Sequence, residues 1–442
     1  MNTELNSRAG RSHARLDVMN YLNEIAGRHP TAISLASGRP AEAFFDFEQW
    51  LRGVPDFVAH QARELGLPAR NAFDLLAQYG RTNGIINDLV ARQIAIDDGV
   101  DCSPQLILMA NGAQEALSLL VTTLCQHPDD VLLVRSPCYI GITGIADLNG
   151  IELVHFGSES GDDERLAALL AQAVAGARRR GRNPRALYLV PTFDNPTGGV
   201  LDETTRRDIV SFCGANDIVV LEDNPYGMFR FEGEPVPSMH ALDRNGCVIH
   251  VGTYSKTLCP AVRVGFAALP HRLFGDAAAS DALMARLSQA KSFVSVNTSQ
   301  LNQAVVGALL LSEQCSLRRL AEAPTAHYRG NRDAMIDCLA REFEDLQDLV
   351  RWNQPQGGFF LCVTLPFPFG RREADLCASR FGVLVMPLSF FALDDAQDRQ
   401  VRLAFSNVPR ERIAEAVRRF GAFVRGRLDE IEADETARSA LQ

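Results

Sequence analysis

An amine, two hydroxyls and a guanidinium fall within eleven positions of this chain: Thr253, Ser255, Lys256 and Arg263. They lie in the run Gly252-Thr253-Tyr254-Ser255-Lys256-Thr257-Leu258-Cys259-Pro260-Ala261-Val262-Arg263-Val264-Gly265. The amine stands out, because 44 residues are Lys or Arg and only Lys256 and Lys291 are lysine. Arginine serves most surface roles of lysine, but a guanidinium stays protonated and cannot condense with a carbonyl. This grouping suits a phosphorylated aldehyde held covalently, pyridoxal phosphate. A surface loop with one surviving lysine is the alternative that the segment alone leaves open.

Further residues fit the same cofactor. Asn111-Gly112-Ala113-Gln114 reads as a glycine turn opening a helix, whose N–H groups and positive dipole end attract phosphate. An ordinary strand–helix turn has the same look. Tyr139 follows an apolar run and can stack on a pyridine ring, or simply pack. Asn195, in Asn195-Pro196-Thr197-Gly198, offers an amide donor to a phenolic oxygen, though the four residues also make a good turn. Asp223, in Glu222-Asp223-Asn224-Pro225-Tyr226, can keep a pyridine nitrogen protonated, which makes the ring an electron sink. Capping a turn is the competing role for this aspartate, while Tyr226 can share the phenolic oxygen with Asn195. Lys256 then serves both as the Schiff-base amine and as the group that moves the α-proton. Thr253, Ser255 and Arg263 hold the phosphate, Arg263 through paired charged donors. Arg402, in Val401-Arg402-Leu403-Ala404-Phe405, is a cation in an apolar strand. Such a charge needs a partner, either a substrate carboxylate or a structural salt bridge.

The elements that must position these groups are legible as a pattern. Apolar runs at 106–109, 131–134, 186–190, 218–221, 248–251 and 264–268 alternate with helix-length stretches. Runs apolar on both faces predict an α/β fold with a mostly parallel sheet flanked by helices. The chemistry-bearing residues sit just past their ends, where such a sheet forms its ligand crevice. Beyond about residue 308 longer helical patterns and short strands near 358–365, 383–386 and 401–405 predict a smaller α+β domain. A final helix carries Ile413, Val417, Phe420, Val424, Leu428 and Ile431 on one stripe. At 442 residues two domains are expected, a large one over 48–308 and a second from 1–47 with 309–442.

Bulk properties exclude several classes. A net charge of -10 argues against a nucleic-acid or anionic-membrane binder. Arg178, Arg179, Arg180 and Arg182 follow a helical stretch at 164–177 and read as its C-terminal charge complement rather than a phosphate-binding tail. Ten cysteines without Cys-x-x-Cys spacing fit reduced thiols better than disulfides or a metal site. No apolar stretch spans a bilayer, and residues 1–15 are polar, unlike a secretion signal. A cytoplasmic protein is expected.

The ordered series Gly-Ala-Gln, Asn-Pro-Thr-Gly, Glu-Asp-x-x-Tyr, Ser-Lys-x-x-x-Pro-x-x-Arg and Arg-Leu-x-Phe-Ser resembles the class I/II aminotransferases. It is most similar to the group holding 2-aminoadipate and kynurenine aminotransferases and the effector domains of MocR-type regulators. The likeness runs from about residue 34 to 407. It implies fold type I and a homodimer with shared active sites. Lys256 matches the Schiff-base lysine, Asp223 the ring-nitrogen partner, Asn195 and Tyr226 the groups on the phenolic oxygen, and Tyr139 the stacking aromatic. Gly112, Ala113, Gln114, Ser255 and Arg263 fall at phosphate-site positions. Tyr79 matches a tyrosine reaching the neighbouring subunit's phosphate, and Arg402 the carboxylate clamp. Gly38 matches a backbone contact to substrate, and Arg39 beside it offers a second cation to an acidic side chain. Asp194 stands where a neutral residue is common and is expected to touch substrate choice or cofactor electronics. The stretch 83–90 lacks the usual Leu-Arg pair. The implied reaction moves an amino group from an amino acid to a 2-oxo acid. Elimination or replacement, cyclisation, decarboxylation or oxidation on the same cofactor is the alternative. A DNA-binding regulator is disfavoured, because only about 30 residues precede Ser34.

Overall fold

A computed structural model describes residues 21, 24–25, 27–157, 165–394 and 398–440. The polar start at 1–15 and the beginning of the stretch 164–177 lie outside the described residues. The strands among those described are β1 (Ile33–Ser34), β2 (Ile107–Ala110), β3 (Asp130–Arg135), β4 (Glu152–Phe156), β5 (Asn183–Leu189), β6 (Val219–Asp223), β7 (Val248–Thr253) and β8 (Gly265–Ala268). They continue with β9 (Arg351–Trp352), β10 (Phe360–Thr364), β11 (Val383–Leu384), β12 (Met386–Pro387) and β13 (Gln400–Ala404).

Seven of these form one sheet in the order β2-β8-β7-β6-β5-β3-β4. The pairs β3–β4, β3–β5, β5–β6 and β6–β7 are parallel. β8 runs antiparallel to both β7 and β2. The fully buried runs in β2, β3, β5, β6 and β7 are those the sequence marks, because a strand covered on both faces has no polar alternation. β4 escapes that rule. Glu152 and His155 leave it half-buried at the sheet's edge, so it lacks the apolar signature.

Helices cover both faces. In Ala113–Leu124, Ala116, Leu117, Leu120, Val121 and Leu124 are buried at helical spacing. Gly112 opens this helix at φ 82°, a left-handed conformation that suits glycine. The helix Leu166–Arg179 ends in Arg178 and Arg179, as its charge pattern predicts. Arg178 caps toward the Asn216 carbonyl at 3.1 Å, and Arg182 pairs with Asp129 and Glu152.

The second sheet has the order β12-β13-β10-β9 and is antiparallel throughout. The closing helix Arg410–Ala440 buries Ile413, Val417, Phe420 and Val424, with Leu428 and Ile431 packed at the margin. One apolar core lies on one face of the large sheet and a second around the small sheet; a third covers the large sheet's other face, and a smaller cluster joins Ile25, Ile140 and Leu384. The second reaches under the crevice through Tyr226, Phe229, Tyr328, Phe359 and Phe360, whose rings meet at 4.8–5.7 Å between centroids. Each such fully buried ring contributes roughly 1.5–3 kcal/mol, enough to hold the loop after β6 against β10.

Candidate active site

The crevice is a cavity of about 560 Å³, within the range of small-molecule sites. Lys256, Asp223, Tyr226, Asn195, Tyr139 and Arg402 all line it, as do Gly38, Arg39, Ala113, Gln114, Thr253, Ser255 and Arg263. The three central groups sit at or just past the C-terminal ends of adjacent interior strands of the large sheet. Asp223 is the last residue of β6, Lys256 follows β7 by three residues, and Asn195 follows β5 by six.

The Lys256 Nζ donates to the Gly38 carbonyl at 3.1 Å and lies 5.9 Å from the Tyr226 ring centre. Burial pushes this amine down to about 8, helped by the Arg402 and Arg263 charges and opposed by Asp223. A fraction of the amine is therefore free near neutrality. The rate at which pyridoxal phosphate attaches to cofactor-free protein should rise with pH and level off above about 8. Stopped-flow absorbance measures this, and a rate flat across neutrality would contradict it.

Asp223 is buried. Tyr188 donates its hydroxyl to Oδ2 at 2.8 Å, while Oδ1 is buried without a partner among the described residues. Burial raises the carboxyl to about 6, against the pull of the Tyr188 bond, His250 and Lys256. An orphaned buried acceptor costs free energy until a donor meets it. A protonated ring nitrogen is such a donor, so this side chain fits the pyridine end of the cofactor. Sequence reasoning missed Tyr188, although a hydroxyl inside the apolar run 186–190 was the available signal.

The phosphate end fits as well. Arg263 donates from Nη1 to Ser255 Oγ and from Nη2 to the Asn111 carbonyl, both at 3.2 Å. Ser255 N donates to Thr253 Oγ1 at 3.2 Å. A Cβ on Gly112 would fall 2.4 Å from Arg263 Nη2, so the guanidinium lies directly against the helix entrance. Arg263 itself has φ 45° and Phe193, just before Asp194 and Asn195, has φ 55°. Such strain in residues other than glycine persists where the surroundings impose it, commonly at functional sites.

Tyr139 donates to Gln114 Oε1 at 3.1 Å, and a Cβ on Gly141 would lie 2.3 Å from its ring. Burial and the nearby Asp223 charge raise its hydroxyl to about 12. Tyr226 is likewise raised, chiefly by burial. The ring faces are thus confined and neutral.

Arg402 is buried and makes no salt bridge among the described residues. Nη1 donates to Asn195 Oδ1 and Nη2 to the Ala36 carbonyl, each at 2.7 Å. The guanidinium lies 4.2 and 4.7 Å from the Phe360 and Phe391 ring centres. The bond through Oδ1 leaves the Asn195 amide nitrogen as its donor, the polarity that a phenolic oxygen requires.

Three positions stand at or beyond the rim of the cavity. Tyr79 lies outside this cavity and is 83 % exposed. Arg39 is exposed at the cavity's mouth, its main-chain oxygen fixed by the Ser406 hydroxyl at 2.7 Å. Asp194 does not line the cavity, because its carboxylate accepts from Thr197 N and Oγ1 and closes the turn. An apolar wall of Ile25, Ile140, Leu384, Met386 and Phe391 also lines the cavity. These residues come from separate segments, so no sequence motif groups them.

The chain is similar to known proteins over most of its length. The family model described as aminotransferase class I and II matches residues 33–420. The chain is 36% identical to (S)-3,5-dihydroxyphenylglycine transaminase of Amycolatopsis orientalis over 93% of its length and 92% of that relative. It is 30% identical to aromatic-amino-acid aminotransferase 1 of Thermococcus litoralis, over 89% and 88%. Among solved structures it is similar to the alpha-aminoadipate aminotransferase of Thermus thermophilus complexed with N-(5'-phosphopyridoxyl)-L-leucine. That match has 28% identity and a TM-score of 0.73, covering 95% of this chain and 98% of the other.

Proposed function

The chain belongs to the class I and II aminotransferases, and from that premise we propose that it takes its amino group from an amino acid with an aromatic or bulky apolar side chain. That it uses pyridoxal phosphate to pass amino groups to 2-oxo acids follows from the family. The observation that carries the donor class is the apolar wall facing a buried, carboxylate-free guanidinium in one cavity. The relatives named for dihydroxyphenylglycine and for aromatic amino acids support the same reading.

In this proposal each residue has one task. When bound, the cofactor supplies a sink for the electron pair left by the departing α-proton. Lys256 anchors it and its Nζ carries that proton, the depressed basicity of the amine allowing both uptake and release. Asp223, steadied by Tyr188, keeps the ring nitrogen charged. Asn195 and Tyr226 donate to the phenolic oxygen, and Tyr139 covers the ring. Gly112, Ala113, Gln114, Thr253, Ser255 and Arg263 bind the phosphate. Arg402 clamps the α-carboxylate, the Gly38 backbone lies beside the substrate, and Arg39 offers its charge to an acidic acceptor.

The division into a unit over 48–308 and another from 1–47 and 309–442 belongs to the same reading and is supported by the separate apolar cores of the large and the small sheet. So does a homodimer. Tyr79, Phe293, Val294, Val296 and Leu301 are exposed, and Gln300 joins their two segments by donating to the Leu75 carbonyl at 2.8 Å. Exposed apolar clusters of this kind are interface material, and a partner would bring its Tyr79 to the neighbouring site. Ten free thiols support a reducing, cytoplasmic setting. No helix among the described residues is long and apolar enough to cross a membrane.

A single-turnover assay tests the donor class. Mixed with a panel of amino acids and no acceptor, the holoenzyme should release one 2-oxo acid per site from aromatic donors, with no ammonia and no oxygen uptake. Preference for acidic donors would overturn the proposal. Arg402→Ala should raise the dissociation constant for these donors roughly 100-fold, the loss of a charge-assisted contact, and leave cofactor affinity nearly unchanged. Equal losses of both would remove Arg402 from the clamp role.

A further inference from the structure

Of the two lysines, Lys291 has no part in the chemistry above, yet it is wholly buried. On the helix Ala277–Val294, its Nζ donates to Glu115 Oε2 at 2.7 Å and to Ser295 Oγ at 3.0 Å. Pairing of this kind is what a buried charge requires. Where the pair acts is set by the other bonds of Glu115. Its Oε2 also accepts from Asn111 N at 2.6 Å, and Asn111 Nδ2 donates to Oε1 and Oε2 at 3.2 and 3.1 Å. The carbonyl of Asn111 in turn receives Arg263 Nη2, whose other nitrogen reaches Ser255 Oγ. An unbroken series thus runs from Lys291 through Glu115, Asn111 and Arg263 to the hydroxyl beside Lys256.

Electrostatics agree with that series. Burial alone raises the Glu115 carboxyl, but the bonds from Lys291, Ser295 and Asn111 outweigh it and hold the group below its ordinary value. An ionised carboxylate grips Asn111 more firmly than a neutral one. A compact ammonium donating in several directions fits this enclosed spot, where a planar guanidinium fork does not substitute. A chain that has given nearly all its cationic positions to arginine keeps lysine here.

Resting on the reading of the phosphate site given above, we propose that Lys291 is a positioning residue for the cofactor's phosphate. Through Glu115 it fixes Asn111, and with it the Arg263 guanidinium and the entrance of the helix Ala113–Leu124.

Cofactor-free protein titrated with pyridoxal phosphate and with pyridoxal, which lacks the phosphate, tests this. The ratio of the two affinities isolates what the phosphate contributes. Lys291→Met lowers that ratio about 10- to 100-fold, as loss of a charge-linked bond does, with affinity for pyridoxal nearly as in wild type. Borohydride labelling still falls on Lys256. The double variant Glu115→Gln with Lys291→Met, which leaves no charge buried, lowers the ratio about tenfold, because a neutral amide holds Asn111 less tightly. The double variant decides the matter if Lys291→Met does not fold. An unchanged ratio, or proportional loss of both affinities, overturns the proposal. Wild-type protein binding both aldehydes equally would instead count against the phosphate site itself.

Discussion

Alanine at position 256 lowers transamination by about 10⁴-fold, the upper range for removing a positioned proton carrier, and abolishes the covalent tether. The argument starts from the amine's surroundings. Among the described residues its Nζ has one hydrogen bond, to the Gly38 carbonyl, and burial with the neighbouring guanidiniums loosens its proton. Borohydride treatment followed by peptide mapping is the measurement. Wild-type protein should carry the label on the peptide containing Lys256, and Lys256→Ala should carry none. Arginine at this position does not rescue, because its charge cannot be released. A label on Lys291 would contradict the assignment, but that amine is already engaged by Glu115 and Ser295.

The second large effect belongs to Asp223. Asparagine there removes the charge opposite the ring nitrogen and should cut turnover about 10²- to 10³-fold, the usual loss when one preorganised electrostatic partner goes. The same change should stabilise the cofactor-free protein. In the folded state burial raises this carboxyl from 3.8 to about 6. Its contribution to stability is therefore complete below the unfolded value and is lost as pH rises through about 6. Asparagine has no proton to lose. Cofactor-free Asp223→Asn should melt higher than wild type above about pH 6 and lose that advantage well below it. Calorimetry across this range checks the sign. A wild type that gains stability relative to the variant as pH rises would refute the assignment.

Much of this site was legible because its chemistry leaves few substitutes. An amine in a chain nearly empty of lysine, and an aspartate at the end of an apolar run, announce themselves. The parallel strands were legible too, since burial on both faces erases polar alternation. What stayed hidden depends on distant residues meeting. Nothing near position 402 says whether its guanidinium faces an acid, and only the fold brings it to Asn195 and Ala36. Asp194 looked like an active-site charge by position; Thr197, three residues on, takes its carboxylate into a turn, while its charge still raises the Asp223 carboxyl. β4 was obscured by its place at the rim, where polar side chains are tolerated. Lys291 gave no local sign of its partner, which lies 176 positions away.

The course of residues 33–41 has a last implication. β1 is laced to β11, Leu35 accepts from Ala404 N at 2.6 Å, Arg39 accepts from Ser406, and Ala41 N donates to Tyr328 at 3.0 Å. This ribbon is therefore fastened to the small sheet that carries Arg402, although it delivers Gly38 to Lys256. In the reading proposed above, the Arg402 clamp and the Gly38 backbone are thus held by the small sheet, and Lys256 and Asp223 by the large one.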